Sequence, residues 1–408
     1  MMTYDAAQGK LREAGQEHVL RFYNELKPEE QESLLAQIEK TDFAVLENVK
    51  HRGKAMERGV FAPLDALELD EIERRKEEFE RAGEAAILEG KVAAVLLAGG
   101  MGTRLGSDLP KGMFDIGETK TVYIFQRLIE NLKEVTDRLK PVRLFIMTSE
   151  KNHDATVRFL QEQKFFGYPE DMVTFFEQEM APACDVDGKV FMEAKDRIAT
   201  SPNGNAGWYR SMERAGLTEL LHKEGIEWLN IFSVDNVLQR IAEPAFVGAT
   251  VLAKAECGAK VVRKNAPDEA VGVICLEDGH PSIVEYYDLT QDMMDAKNEK
   301  GDPAYNFGVI LNYLFYEPAL QRIAKKELPL HVVDKKIAHI DENGTEIKPE
   351  APNGCKFEQL VLDMIHELES CLVYEVVREH DFAPVKNRTG IDSVDTAREL
   401  LKKAGIEI

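Results

Sequence analysis

The chain has 408 residues, with 51 Lys and Arg against 73 Asp and Glu and a formal charge of -22 at pH 7. That balance excludes a nonspecific nucleic-acid binder, whose phosphate contacts need an excess of basic residues, but not a small anionic ligand held in a local basic pocket. With 44% hydrophobic and 8% aromatic residues there is enough apolar surface for a full core, which excludes a disordered chain and allows one large domain or several ordinary ones.

Residues 1–90 read as a helical N-terminal region with a charged surface, as in "LDALELDEIERRKEEFERAGEAAILEG", punctuated by Pro28 and Pro63. The start "MMTYDAAQGKLREAG" has no apolar leader core, and no run reaches membrane-spanning length, so a cytoplasmic location and no membrane partner are expected. From Val92 the pattern changes. "VAAVLL" is a short continuous apolar run of the kind a buried parallel strand shows, and Val122, Phe125, Leu128, Ile129, Leu132 and Val135 then mark an amphipathic helix. "VRLFIM", "DATVRFLQEQ", "MVTFF", "GWYRSMERAGLTELLHKEG" and "WLNIFSV" continue as strand, helix, strand, helix and strand. Such alternation implies right-handed crossovers and a mostly parallel sheet, with ligands bound beyond the carboxyl ends of the strands.

After Asp235 the texture is strand-rich. "GATVLAKAE", "AKVVRK", "VGVICLEDG" and "SIVEYYDL" read as antiparallel strands, with "EDGH" a hairpin turn. In the tail, "CKFEQLVLDMIHELES" reads as a helix, "CLVYEVVRE" as a strand and "DSVDTARELLKKAG" as a final helix capped by Asp392 or Ser393. Cys184, Cys257, Cys275, Cys355 and Cys371 are widely spaced with no C-x-x-C pair, which suits a reducing compartment and argues against structural zinc or a disulfide framework. The histidines form no metal-binding array.

The chemistry concentrates in "LLAGGMGTRLGSDLPKGMFDIG", Leu96 to Gly117. The dinucleotide fingerprint beginning at Gly100 would need glycine at 105, which is Leu, and a P-loop would need Lys after Gly106, where Ser107 stands. A hydride-transfer enzyme and a P-loop kinase are both disfavoured. Gly99, Gly100 and Gly102 let backbone N–H groups approach a phosphate or base, and Arg104 and Lys111 add charge on the same loop. A ligand-free strand-to-helix turn would explain the glycines but not the two cations.

This stretch resembles the signature of the eukaryotic-type UDP-sugar pyrophosphorylase family, its UDP-N-acetylhexosamine branch above the others. The resemblance runs from about Val92 to the end, through "FFEQEMAPACDVDGKV", "SPNGNAGWYRSM", "IFSVDNVLQRIAEP", "SIVEYYDL", "AYNFGVILNYLF", "PNGCKFEQLVLDM" and "YEVVREHDFAPVKN". It implies an α/β fold: a Rossmann-like nucleotidyltransferase core with a mostly parallel mixed sheet (residues 91–327), between the helical region 1–90 and a small C-terminal α/β domain (residues 328–408). It also implies roles. Leu97, Ala98, Gly99, Gly100 and Gly204 would hold the uracil of UTP with Gln178, whose amide offers the donor and acceptor a uracil edge needs. Asp235 would take Mg²⁺ or Mn²⁺ and the nucleotide. Asn205, Glu285, Asn306 and Lys386 would contact the sugar side, and Arg104, Lys111 and Lys356 would neutralise charge in catalysis. By residue type alone, Gln178 reads rather as a surface amide, Glu285 as a solvent-facing strand residue and Lys356 and Lys386 as surface lysines, while a turn former is the alternative for Asn205 and a helix cap the alternative for Asp235. The chain departs from the family in having Glu177-Gln178-Glu179 where Gln-Gln-Gly is usual, and Met101 in place of a commoner Gln.

The expected reaction is uridylyl transfer from UTP to N-acetylglucosamine 1-phosphate, with small-molecule substrates and no nucleic-acid partner. UDP-glucose or UDP-galactose pyrophosphorylase is the alternative within the same chemistry. A non-catalytic UDP-sugar sensor is the alternative outside it, although a sensor has no need of Arg104, Lys111, Asp235 and Lys356 together.

Overall fold

In the computed structural model, which describes residues 2–53 and 58–408, the buried run Val92–Leu97 is a strand in the middle of a parallel array. It pairs in parallel with Arg143–Thr148 on one side and Trp228–Ser233 on the other, and Arg143–Thr148 pairs in turn with Val173–Glu177. The ten-residue strand Phe307–Tyr316 then runs antiparallel to both Trp228–Ser233 and Cys257–Arg263. Beyond it Cys257–Arg263, Cys371–Glu375 and Ala66–Leu67 are again parallel to one another. The sheet is therefore mixed and mostly parallel, as expected. Val273–Glu277 and His280–Val284 form the expected hairpin. Asp278 and Gly279 both take positive φ, 51° and 86°, the combination that suits a two-residue hairpin turn.

The amphipathic segment Ile124–Thr136 covers this sheet, burying Phe125, Leu128, Ile129 and Leu132 in its core. Val394–Lys403 is the expected last helix, and Ser393 rather than Asp392 caps it, accepting from the Thr396 N–H.

The chain forms two compact units. The larger is Arg58–Glu177, Trp208–Glu327 and Val361–Ile408, and the smaller is Met1–Glu57, Gln178–Gly207 and Leu328–Leu360. In the smaller unit, helices Tyr4–Glu13 and Pro28–Lys40 bury Leu11, Leu34 and Ile38 against Cys184, Ile198, Cys355 and Phe357. Pro28 supplies the first helical position, where its missing N–H costs nothing. The consecutive segments 1–90, 91–327 and 328–408 read from the sequence differ from these interleaved stretches. Linear order does not reveal which distant apolar faces bury one another.

Several elements differ from expectation. "GATVLAKAE" is not a strand: its first six residues, Gly248 to Ala253, end the helix Pro244–Ala253, which starts on a proline and is apolar all round because Pro244 to Thr250 are all buried. Its β-branched residues mimic strand composition, but tertiary packing overrides that propensity. "CKFEQ" is a strand, Gly354–Glu358, in which Cys355 and Phe357 are wholly buried and alternate with half-buried Lys356; helix begins only at Val361. "GWYRSMERAGLTELLHKEG" divides into Trp208–Arg214 and Leu217–Glu224, separated at Gly216 with φ 71°. The region expected to be helical also holds the strands Phe61–Pro63 and Ala66–Leu67, while its positions 1 and 54–57 lie outside the described residues. No helix among the described residues is long and apolar enough to cross a membrane.

Helices Lys76–Leu88 and Pro244–Ala253 cross at two glycines: a Cβ on Gly248 would sit 1.8 Å from the Phe79 carbonyl oxygen, and one on Gly83 1.9 Å from that of Pro244. Gly248→Ala should force these helices apart and cost about 1–3 kcal/mol, the usual range for overpacking, read as a lower urea midpoint at an unchanged slope.

Candidate active site

The strands Val92–Leu97 and Trp228–Ser233 are parallel neighbours that end together, Leu97 opposite Ser233. Two loops leave from this edge, the glycine loop and the segment that begins Val234-Asp235. The glycine loop folds back on itself: Gly102 N–H donates to the Leu109 carbonyl (2.8 Å) and Lys111 N–H to that of Gly100 (3.2 Å). Gly106, with φ 76°, ends the short turn Thr103–Leu105 in the left-handed region. A Cβ on Gly100 would meet no described atom within 4 Å. Packing against the described residues therefore does not require glycine at this exposed position.

Three expected cations meet at this edge. Arg104, Lys111 and Lys386 line a cavity of about 180 Å³ with Leu97, Gly100 and Asp235. Lys111 is buried, and its Nζ donates to Asp235 Oδ1 at 2.5 Å. Burial pushes the Lys111 ammonium below its ordinary pKa, Asp235 pulls it back up, and Arg104 and Lys386 push it further down. Three cations thus converge on one pocket at a strand end, with Lys111 paired to Asp235 inside it. Lys386 reaches the same place from near the end of the chain, its Nζ 3.0 Å from Asp392 Oδ2.

Ser233, Asp235 and Lys386 also line a second, larger cleft of about 710 Å³. Its character is opposite. Asp268, Glu269, Glu285 and Asp392 supply carboxylates, and Ile283, Val309, Leu311 and Phe382 supply apolar wall. Leu311 sits at φ 51° where the pairing of Phe307–Tyr316 with Cys257–Arg263 shifts register, so a bulge aims the wall of the cleft. Glu285 lines this cleft and Asn306 does not; the Asn306 carbonyl instead accepts from Lys264 N–H at 2.9 Å. Gly308 has a packing reason, since a Cβ there would lie 2.8 Å from Val271 Cγ1.

The sequence reading missed the groups that hold these loops. Asn152, 1% exposed, donates from Nδ2 to the carbonyls of Ala98 (2.9 Å) and Gly100 (3.3 Å), so a buried amide sets the curvature of the glycine loop. Beneath the Asp235 segment lies a buried amide network. Asn131 donates to the Val237 and Gln239 carbonyls, Gln239 to those of Ser233 and Asn236, Asn312 to Gln239 Oε1, and Asn230 to Asn312 Oδ1. Polar residues inside apolar runs, such as Asn230 in "WLNIFS" and Asn312 in "VILNYLF", were the available signal.

The remaining expected residues cluster within the smaller unit. Asn203 links them: its N–H donates to the Glu179 carbonyl (3.3 Å), its carbonyl accepts from Gln359 N–H (2.7 Å), and the Gln359 carbonyl accepts from Ala206 N–H (3.0 Å). Gly204 and Asn205 thus sit in a loop clamped to the strand carrying Lys356. A Cβ on Gly204 would fall 2.1 Å from the Gln359 carbonyl oxygen, and its φ is 93°, so glycine there is required by the fold itself. Gln178 is buried rather than a surface amide.

Among the described residues no group of three or more His, Cys, Asp or Glu could hold a metal ion. That donor set does not fit a resident zinc. It does fit Mg²⁺ or Mn²⁺, which bind through one or two carboxylates and take other oxygens from substrate phosphates and water. Asp235, lining both cavities, is the residue that would hold it.

A family model described as UTP–glucose-1-phosphate uridylyltransferase matches residues 44–396. The chain is 37% identical to UDP-N-acetylhexosamine pyrophosphorylase-like protein 1 of Homo sapiens, covering 98% of this chain and 84% of that protein. It is 33% identical to UDP-N-acetylglucosamine pyrophosphorylase of Saccharomyces cerevisiae, covering 96% and 88%. The crystal structure of the uridine diphosphate N-acetylglucosamine pyrophosphorylase of Trypanosoma brucei, in complex with inhibitor, superposes with a TM-score of 0.81 at 27% identity, covering 97% of this chain and 84% of that one. A UDP-glucose pyrophosphorylase variant from Leishmania major reaches a TM-score of 0.64 at 18% identity over 93% of this chain and 76% of that one, a likeness of fold alone.

Asn152→Ala would leave the Ala98 and Gly100 carbonyls without their buried donor. A lost buried hydrogen bond costs about 1–3 kcal/mol, so the variant should fold with a lowered Tm and bind its nucleotide on the order of tenfold more weakly. Titration calorimetry and a thermal melt check both.

Proposed function

The chain belongs to the UTP–glucose-1-phosphate uridylyltransferase family, and from that premise we propose that it transfers the uridylyl group of UTP to N-acetylglucosamine 1-phosphate, forming UDP-N-acetylglucosamine and releasing pyrophosphate. The observation that carries this reading is the division of charge across Asp235. On one side lies a small cationic cavity at a glycine loop, and on the other a larger cleft of carboxylates and apolar wall. A nucleotide sugar is divided the same way, into anionic phosphates and a neutral sugar whose hydroxyls donate to carboxylates.

In the transfer, a phosphate oxygen of the sugar phosphate bonds to the α-phosphorus of UTP while the bond from that phosphorus to the bridging oxygen breaks, and pyrophosphate leaves with the electron pair. A phosphate monoester has a second pKa of about 6, so the attacking oxygen is already anionic at neutral pH and needs no general base. Catalysis reduces to holding the partners in line and neutralising charge. Lys111 and Arg104 are assigned to the departing phosphates and Lys386 to the sugar phosphate. Leu97, Ala98, Gly99 and Gly100 are assigned to the uridine and Glu285 to the sugar, and the family resemblance alone adds Asn306, which does not line the cleft. On the smaller unit, the family resemblance assigns Gln178 and Gly204 to the uracil, Asn205 to the sugar and Lys356 to phosphate. A divalent cation held by Asp235 would supply further charge neutralisation on the phosphates.

The names of the relatives support an N-acetylated sugar, and the apolar wall of Ile283, Val309 and Leu311 offers surface for an acetamido methyl. The test is pyrophosphate release with a panel of sugar 1-phosphates. N-acetylglucosamine 1-phosphate should lead, its galactosamine epimer follow, and glucose 1-phosphate trail by about one to two orders of magnitude in kcat/KM, the cost of about 1–3 kcal/mol for polar lining left unpaired. Glucose 1-phosphate equal or ahead would overturn the sugar assignment and leave uridylyl transfer standing. A second expectation concerns the cation. EDTA should abolish turnover, and Asp235→Asn should raise the Mg²⁺ concentration for half-maximal rate at least about tenfold, because a neutral amide is a weaker ligand for a hard cation. Full activity in EDTA would refute the role of Asp235 as metal ligand.

A further inference from the structure

Lys260 is 0% exposed, although a buried ammonium is costly and no step of the transfer uses it. It lies on Cys257–Arg263 where that strand's pairing with Phe307–Tyr316 shifts register. Its Nζ makes three contacts: the Arg240 carbonyl at 3.1 Å, Glu243 Oε2 at 2.5 Å and Asp381 Oδ1 at 3.3 Å. Arg240 completes a balanced set, with Nη1 3.0 Å from Glu243 Oε1 and Nε 3.8 Å from Asp381 Oδ2.

These partners belong to the two segments that carry the active-site groups. Arg240 and Glu243 end the loop that begins at Asp235, and Asp381 opens the run that leads to Lys386. The two segments are laced together above the ammonium. Asn236 Nδ2 donates to the Asp381 carbonyl (2.6 Å), and Asn236 Oδ1 accepts from Ala383 N–H (2.8 Å). Val237 N–H donates to the Ala383 carbonyl (3.2 Å) and Val385 N–H to that of Asp235 (2.8 Å). We infer that Lys260 is a positioning residue for the transfer, a buried cation that staples the Asp235 segment to the Lys386 segment and so sets the spacing of those two groups across the phosphate cavity. Buried ion pairs return little net stability once desolvation is counted, and their best-attested return is a defined geometry. The role rests on the proposed reaction for its catalytic consequence, but the staple itself is independent of it.

The test uses Lys260→Met combined with Asp381→Asn, which removes one charge of each sign and leaves the Asp381 carbonyl in place. The double variant should melt within a few degrees of wild type. Its Val237 and Val385 amides should exchange with deuterium at least about tenfold faster, since the segments they join are no longer stapled. With wild type assayed alongside, kcat should fall about tenfold or more while the KM for UTP stays within about twofold. Lys386→Ala added to the double variant should lower kcat by less than about twofold beyond Lys386→Ala alone, because once the Lys386 ammonium is gone its spacing from Asp235 no longer matters. If the double variant does not fold, Asp381→Asn alone reads the same exchange and kinetics. Unchanged amide exchange, a wild-type kcat in the folded variant, or full additivity with Lys386→Ala would each overturn the inference. A wild-type protein that releases no pyrophosphate from UTP with any sugar phosphate would refute the reaction instead, and the exchange measurement would still decide the staple.

Discussion

The contact on which the site depends is the one between Lys111 and Asp235. An ammonium taken out of water loses its proton more readily, and Lys111 is buried beside Arg104 and Lys386, which makes matters worse. Asp235 is the counterweight. Because the two are far apart in sequence, the pair exists only while the glycine loop and the Asp235 segment are held at the ends of adjacent parallel strands. Much of the surrounding polar burial answers to that requirement. Asn152 curves the first loop, and Asn131, Asn230, Gln239 and Asn312 brace the second. The Lys260 cluster joins the second loop to the chain's late segment.

This arrangement also explains how a chain of charge -22 takes an anionic substrate. The acidic residues are not excluded from the site. Asp268, Glu269, Glu285 and Asp392 face the larger cleft, where in the proposed reaction a neutral sugar's hydroxyls would donate to carboxylates, while Arg104 and Lys111 line the cavity at the glycine loop. Asp235 and Lys386 stand on the border and line both. In the proposed reaction, separating the charges in this way would let one chain bind two chemically different halves of a ligand without a basic surface overall.

Glycines in the matching motifs do different work. Gly204 and Gly308 are required by the protein's own packing, against Gln359 and Val271 respectively. Gly100 has no such neighbour among the described residues, so packing does not account for it. A motif carries both kinds and, read as letters, does not distinguish them.

What the sequence by itself determined follows from local periodicity and residue type. The alternation of apolar runs and amphipathic stretches specified the parallel strands around Val92–Leu97, because a strand buried on both faces must be continuously apolar. The glycine loop with Arg104 and Lys111, and Asp235 at a strand end, were legible for the same reason, as was the "EDGH" turn. Family resemblance then supplied roles that residue type left open, as with Gln178 and Lys386. Only the tertiary structure decided the rest. Gly248 to Ala253 of "GATVLAKAE" is helix, where Gly248 and Gly83 let two helices meet, and "CKFE" is strand because its alternate residues bury against helices from the far end of the chain. Lys260, Asn152 and Asn312 look like ordinary polar residues in sequence. Their work consists of contacts with groups tens to hundreds of positions away, and the local pattern of a chain carries no record of distance in space.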